Sequence, residues 1–137
     1  MNRIARLLSG SALIALAVMA LGVAPVSEAG SGAPAKRCIT VLYPNTPDVK
    51  FDFDYYRTKH IPLIKRLYGR GVARIELRKG VATQDGSPVT YVAVINIWIG
   101  SQKAFDEATA KHAKELIADV PNFTNGRPVI QYDEIVN

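Results

Sequence analysis

Cysteine is nearly absent from this 137-residue chain. Cys38 stands alone, so no disulfide within the chain can staple the fold, and stability has to come from a buried core. Its natural reading is a small buried residue at the start of a strand. Histidine is almost as scarce, with only His60 and His112. Neither H-x-x-x-H nor H-x-H spacing occurs and the single thiol is distant, so the signal for a metal site built from the two histidines with Asp52 or Asp54 is weak, and nothing selects His60 or His112 as a haem ligand; no metal or cofactor is expected. There is no G-x-S-x-G elbow, no P-loop and no G-x-G-x-x-G, which removes the hydrolase elbow and the usual cradles for nucleotide phosphates. Charge of one sign is never blocked. The net charge of +5 is scattered, without the Lys/Arg run of a nucleic-acid or heparin patch, so it speaks for solubility rather than for a partner.

One long apolar run is present, and it lies at the N-terminus. Met1 to Arg6 carries two arginines, Leu7 to Val23 is uncharged, and Ser27 and Ala29 supply small residues of the A-x-A type. This has the shape of a secretory signal peptide cleaved after Ala29, with Ala24 as the alternative. The run is short for a membrane span of about 20 residues. It also holds Gly10 and Gly22 and leads into the Gly/Ser/Pro-rich stretch Gly30 to Ala35, which argues against an uncleaved anchor. The expected organisation is a signal peptide over 1–29, a flexible linker over 30–37 and one domain over 38–137. The mature protein is expected to be periplasmic or secreted, without membrane attachment. Loss of residues 1–29 lowers the net charge by one unit and leaves a chain the size of one small domain.

Within that domain, segments of period two and period 3.6 alternate. Cys38 to Tyr43 reads as a strand closed by Pro44-Asn45-Thr46-Pro47. Asp52 to Tyr68 reads as a helix capped by Asp52 and stopped at Gly69 or Gly71. Ala73 to Val81 and Tyr91 to Ile99 are the next strands, Ser101 caps a second helix to about Ile117, and Pro128 to Ile135 is the last strand. The order βαββαβ is α+β and ferredoxin-like: a four-stranded antiparallel sheet with two helices on one face. Strands one and three are apolar at nearly every position, as central strands require. Strand two alternates Arg74, Glu76 and Arg78 with Ile75 and Leu77, and strand four carries Gln131, Asp133 and Glu134, as edges do. Two helices cover one face only. The other would expose Leu42, Val92, Val94 and Trp98, and a homodimer packed sheet to sheet is the economical cover.

The same order describes the RRM. The third strand lacks the basic residue, the glycine and the paired aromatics of RNP1, so nucleic acid is not expected as a partner.

Down the first helix, Phe53, Tyr56, His60, Leu63 and Leu67 form an apolar stripe, which turns His60 toward the sheet with Tyr56 one turn before it. Pro62 cannot donate to the carbonyl of Thr58, so a kink or break is expected there, opening room at His60. In the second helix Phe105, Ala108, His112 and Leu116 form a similar stripe. An inward imidazole at a cavity is the natural general acid/base near neutral pH, and Tyr56 could donate to a developing enolate or phenolate oxygen, as could Tyr55, whose plainer reading is a surface tyrosine with its tip in solvent.

Val41-Leu42-Tyr43-Pro44, Phe51-Asp52-x-Asp54-Tyr55-Tyr56-x-x-x-His60-x-Pro62-Leu63, Phe105, His112 and Asp119-Val-Pro-Asn-Phe-Thr-Asn125 together resemble the EthD family, named for a protein of ethyl tert-butyl ether degradation. The resemblance runs from about Cys38 to Val136. It implies a dimeric α/β barrel. Members carry the label of EthD-family reductases, the ether-degradation member is an accessory, and similar barrels include cofactor-independent cyclases, lactone isomerases and monooxygenases with an aromatic or polyketide-like ligand beside a histidine. On this chain the resemblance makes His60 the acid/base, Tyr56 or Tyr55 its partner, and His112 and Asn122 secondary, ligand-contacting residues. Tyr43 and Trp98, on the two central strands, complete the expected ligand contacts. Two functions remain open: an enzyme doing acid/base or oxidoreductase chemistry on a small hydrophobic oxygenated molecule, and a binding or stress-response module without turnover. A cavity reaching His60 favours the first. An imidazole walled off by Leu63, Ile95 and Phe105 favours the second.

Overall fold

Eight residues with alternating side chains open the fold. In the computed structural model, which describes residues 37–136, Arg37–Pro44 is strand β1, with Ile39, Val41 and Tyr43 buried on one face. The signal peptide expected over 1–29 lies outside the described residues, as does the linker except Arg37, which begins β1. Strands β2 (Val72–Lys79), β3 (Tyr91–Ile99) and β4 (Val129–Glu134) follow. The sheet is antiparallel with order β2-β3-β1-β4, so the two apolar strands are central and the two charged ones are edges. This is the ferredoxin-like arrangement of a four-stranded sheet with its helices on one face.

The first helical run has three pieces: α1 (Phe53–Tyr55), a π turn over Tyr56–His60, and α2 (Ile61–Tyr68). Asp52 caps it as expected, accepting from the Tyr55 N–H. Gly69, at φ 47°, ends it in a conformation open to glycine at little cost. Pro62 neither breaks nor stops the run. The Ile61 N–H donates to the Tyr56 carbonyl five residues back, and the extra residue in that wide turn absorbs the proline with helical geometry kept on both sides.

The π turn also changes the phase of the stripe. The buried residues are Tyr56, His60, Ile64 and Tyr68, each four apart, whereas Leu63 is half-buried outside the core cluster and Leu67 packs at its margin. The expected continuation through Leu63 is therefore corrected to Ile64 and Tyr68.

Helix α3 (Gln102–Asp119) is capped by Ser101 and buries Phe105 and Ala108. It comes so close to the start of β2 that a β-carbon on Gly71 would lie 2.8 Å from the Phe105 backbone nitrogen. Both helical runs cover the face that carries Ile39, Val41, Tyr43, Ala93, Ile95 and Ile99. Among the described residues, no helix is long and apolar enough to cross a membrane.

On the other face, the registers place Cys38 beside Trp98, Thr40 beside Asn96 and Leu42 beside Val94, flanked by Arg74, Glu76 and Arg78. The face is less uniformly apolar than the sequence pattern suggests. The Thr40 hydroxyl donates to the Asp133 carboxylate, and the Arg74 guanidinium lies 4.7 Å over the Trp98 ring.

Candidate functional site

The loop after α3 positions everything around His60. Backbone and side chains of residues 122–126 are tied to the segment that enters the first helical run. The Asp52 N–H donates to the Phe123 carbonyl at 2.8 Å, the Thr124 hydroxyl to the Lys50 carbonyl at 2.6 Å, and the Lys50 N–H to the Asn125 side-chain oxygen at 2.8 Å. Asn125 returns a bond to the Asp48 carbonyl at 2.9 Å. Between the two segments sits Phe123, 3% exposed, with its ring centroid 4.7 Å from His60, 4.9 Å from Tyr56 and 5.5 Å from Phe51. Each member of the Asn-Phe-Thr-Asn run has a bonding or packing role, which explains these residue types at this spacing.

Asp119, the last residue of α3, is thereby brought against the helical run 59 positions earlier. Its Oδ2 lies 2.7 Å from His60 Nδ1. Its Oδ1 accepts from the Tyr55 hydroxyl at 2.8 Å and from the Asn122 amide at 2.9 Å. His60 is 6% exposed. Burial pushes its imidazole below the ordinary pKa, and the hydrogen bond and charge of Asp119 pull it only partly back. Burial works against ionisation of Asp119 too, but the bonds from His60, Asn122 and Tyr55 outweigh it and hold the carboxyl below its usual value. The two shifts agree on one arrangement near neutral pH: a neutral ring beside an ionised carboxylate.

A cavity of about 440 Å³ opens between the helices and the sheet and has His60 in its wall. Its apolar lining comes from Val41, Ile64, Ile97, Leu116, Ile117 and Val120, and its polar atoms from His60, Tyr43, Tyr56, Tyr68 and the rim residue Arg127. Burial pushes Tyr43 up to about 12 and Tyr56 higher still, so both phenols stay protonated and are available as donors. A larger, shallower depression of about 730 Å³ lies around the 120–126 loop and the 50–52 segment, lined by Lys50, Asp52, Asn122 and Asn125. It does not include His60. Among the described residues, no group of three His, Cys, Asp or Glu side chains is arranged to hold a metal ion.

The expected residues divide. His60, Tyr56 and Tyr43 share the cavity, although Tyr56 meets His60 ring to ring at 4.8 Å and not through its hydroxyl. Tyr55 and Asn122 reach the site through Asp119 instead of facing the cavity. His112 does not join. The cavity wall on α3 is formed by Ala113, Leu116 and Ile117, one step round the helix, and His112 Nδ1 lies 3.7 Å from Glu115, which also accepts from Arg66. Trp98 stands on the opposite face of the sheet, because Ile97 and Ile99 point to the helices. Asp119 and Phe123 were not singled out by the sequence pattern. The available signal was their place in the Asp-Val-Pro-Asn-Phe-Thr-Asn run.

The family model described as EthD domain matches residues 47–127, the span that holds the first helical run, α3 and the loop around Asp119. The chain belongs to the EthD family. An EthD-like protein from Ralstonia eutropha JMP134 superposes with a TM-score of 0.68 at 32% identity, over 74% of this chain and 92% of that one. An EthD family protein from Bacillus halodurans C-125 gives a TM-score of 0.56 at 16% identity, over 73% of this chain and 98% of that one; this likeness concerns the fold alone. No curated protein matches the chain.

Proposed function

We propose that this EthD-family protein is an exported homodimer that takes a small hydrophobic, oxygenated molecule, aromatic or polyketide-like, into the 440 Å³ cavity and carries out cofactor-independent acid/base chemistry on it through His60. The observation that carries the reading is a buried, neutral imidazole in the wall of an otherwise apolar cavity. Such a ring serves as a base toward a carbon or hydroxyl acid bound beside it. The protonated Tyr43 and Tyr56 are hydrogen-bond donors for the oxygen on which charge develops. Apolar walls exclude water, which strengthens each of these interactions. The cavity reaches His60 rather than leaving it walled off by Leu63, Ile95 and Phe105, which favours chemistry over binding alone.

Dimerisation is supported by Leu42, Val94 and Trp98 on the sheet face that the helices leave uncovered. Export rests on the sequence of residues 1–29.

Native mass spectrometry of protein purified from its source tests the reading. A dimer with a retained neutral molecule small enough for the cavity is the expected result. A monomer that retains nothing would count against both halves of the proposal.

A further inference from the structure

We propose that Asp119 is the positioning residue that fixes the tautomer of His60, and that Tyr55 and Asn122 determine how it does so. The consequence for chemistry rests on the reading of His60 as the cavity's acid/base group; the geometry does not.

An ionised carboxylate has no proton to give, so the 2.7 Å contact between Asp119 Oδ2 and His60 Nδ1 requires the hydrogen to sit on Nδ1. In a neutral ring this leaves Nε2 with a lone pair, and Nε2 is the nitrogen left for the cavity. The same carboxylate is anchored from its other side. Tyr55 and Asn122 both donate to Oδ1, at 2.8 and 2.9 Å, so neither oxygen of Asp119 is free to turn. Tyr55 and Asn122 lie at positions 55 and 122, on different segments, and the Phe123 ring packed against His60 and Tyr55 holds those segments together.

This anchoring predicts an unusual response to the mildest possible substitution. Asp119→Asn keeps shape and size but replaces one oxygen by an NH2 group. The amide oxygen is favoured at the place where the two donors converge, because an NH2 there keeps its bonds only if the Tyr55 hydroxyl turns round to accept and the Asn122 amide flips as well. The NH2 group then faces His60 Nδ1 and donates to it. Nδ1 becomes an acceptor, the ring proton moves to Nε2, and the cavity side of His60 changes from a base to a donor. The corresponding exchange in a Ser-His-Asp triad lowers kcat by about 10⁴-fold for the same tautomeric reason.

The test is nitrogen NMR of protein labelled with ¹⁵N-histidine, read above the titration range of His60 and in a His112→Gln background so that one imidazole remains. With Asp119 intact, Nδ1 is expected to give the protonated, pyrrole-type signal and Nε2 the unprotonated, pyridine-type signal. In Asp119→Asn the two assignments exchange. Adding Tyr55→Phe and Asn122→Ala to Asp119→Asn removes both anchoring donors, frees the amide to turn, and is expected to restore Nδ1–H. An Nε2–H ring with Asp119 intact overturns the proposal, a measurement that needs no variant at Asp119 to fold. So does an unchanged tautomer in folded Asp119→Asn. These outcomes are independent of ligand binding: an empty cavity would sink the proposed function and leave the tautomer result standing, and an unchanged tautomer would do the reverse.

Discussion

Phe123→Ala is expected to destabilise the protein by about 3–5 kcal/mol, the range for removing a fully buried aromatic ring. The ring is 3% exposed and contacts Tyr43, Phe51, Tyr55, Tyr56 and His60, so its loss empties the centre of an aromatic cluster. Collapse is hindered on both sides. Asp52 and Thr124 tie the neighbouring backbone segments together, and β1 lies beneath them as a central strand. A domain of this size shifts its Tm by roughly 4–8 °C per kcal/mol, so the effect is large in a thermal scan and measurable by urea titration. A loss below about 1 kcal/mol would mean that the loop does not hold the site as described.

His60→Gln is expected to lower turnover of the molecule that the cavity retains by about 10²–10⁴-fold, the usual contribution of a positioned acid/base group. Glutamine fills much of the same space and its amide still donates to Asp119, so fold and ligand affinity should suffer far less than rate. What the substitution removes is a basic atom toward the cavity. The discriminating measurement is kcat against Kd for the same compound. A drop in kcat with Kd changed by less than about tenfold fits an acid/base role. Equal turnover in the variant would leave His60 as a wall residue and return the protein to the class of binding modules.

The sheet was legible because its signal is local. Val41, Ile95 and Ile97 sit in runs that are apolar at both parities, and Arg74, Glu76 and Arg78 alternate with Ile75 and Leu77, so centre and edge could be told apart before any pairing was known. Asp52, Ser101 and Gly69 marked helix ends by chemistry that acts within four residues. The response to Pro62 was not legible. A missing N–H predicts a disturbance, but whether the chain breaks or widens into a π turn is decided by the packing of Tyr56, His60, Ile64 and Tyr68 on the sheet.

His112 shows the same limit. A spacing of three and four placed it on the stripe of α3, yet helices have finite faces, and at the cavity the wall passes to Ala113, Leu116 and Ile117. Trp98 could be assigned to the uncovered face by parity alone, which separates it from His60 by the thickness of the sheet. Asp119 carries no such local signal. Nothing in its neighbourhood distinguishes a carboxylate at a helix end from one aimed at an imidazole 59 residues away, and only the closure of the loop through Phe123, Thr124 and Asn125 brings the two together.

The proposed function depends on His60 facing a cavity that holds the ligand. Titrating the retained molecule into ¹⁵N-histidine-labelled protein tests this most directly, because His112 is a built-in control outside the cavity. The predicted result is a saturable shift of both His60 ring nitrogens with those of His112 unmoved. Saturable binding that leaves His60 unshifted, or that moves His112 alone, would contradict it.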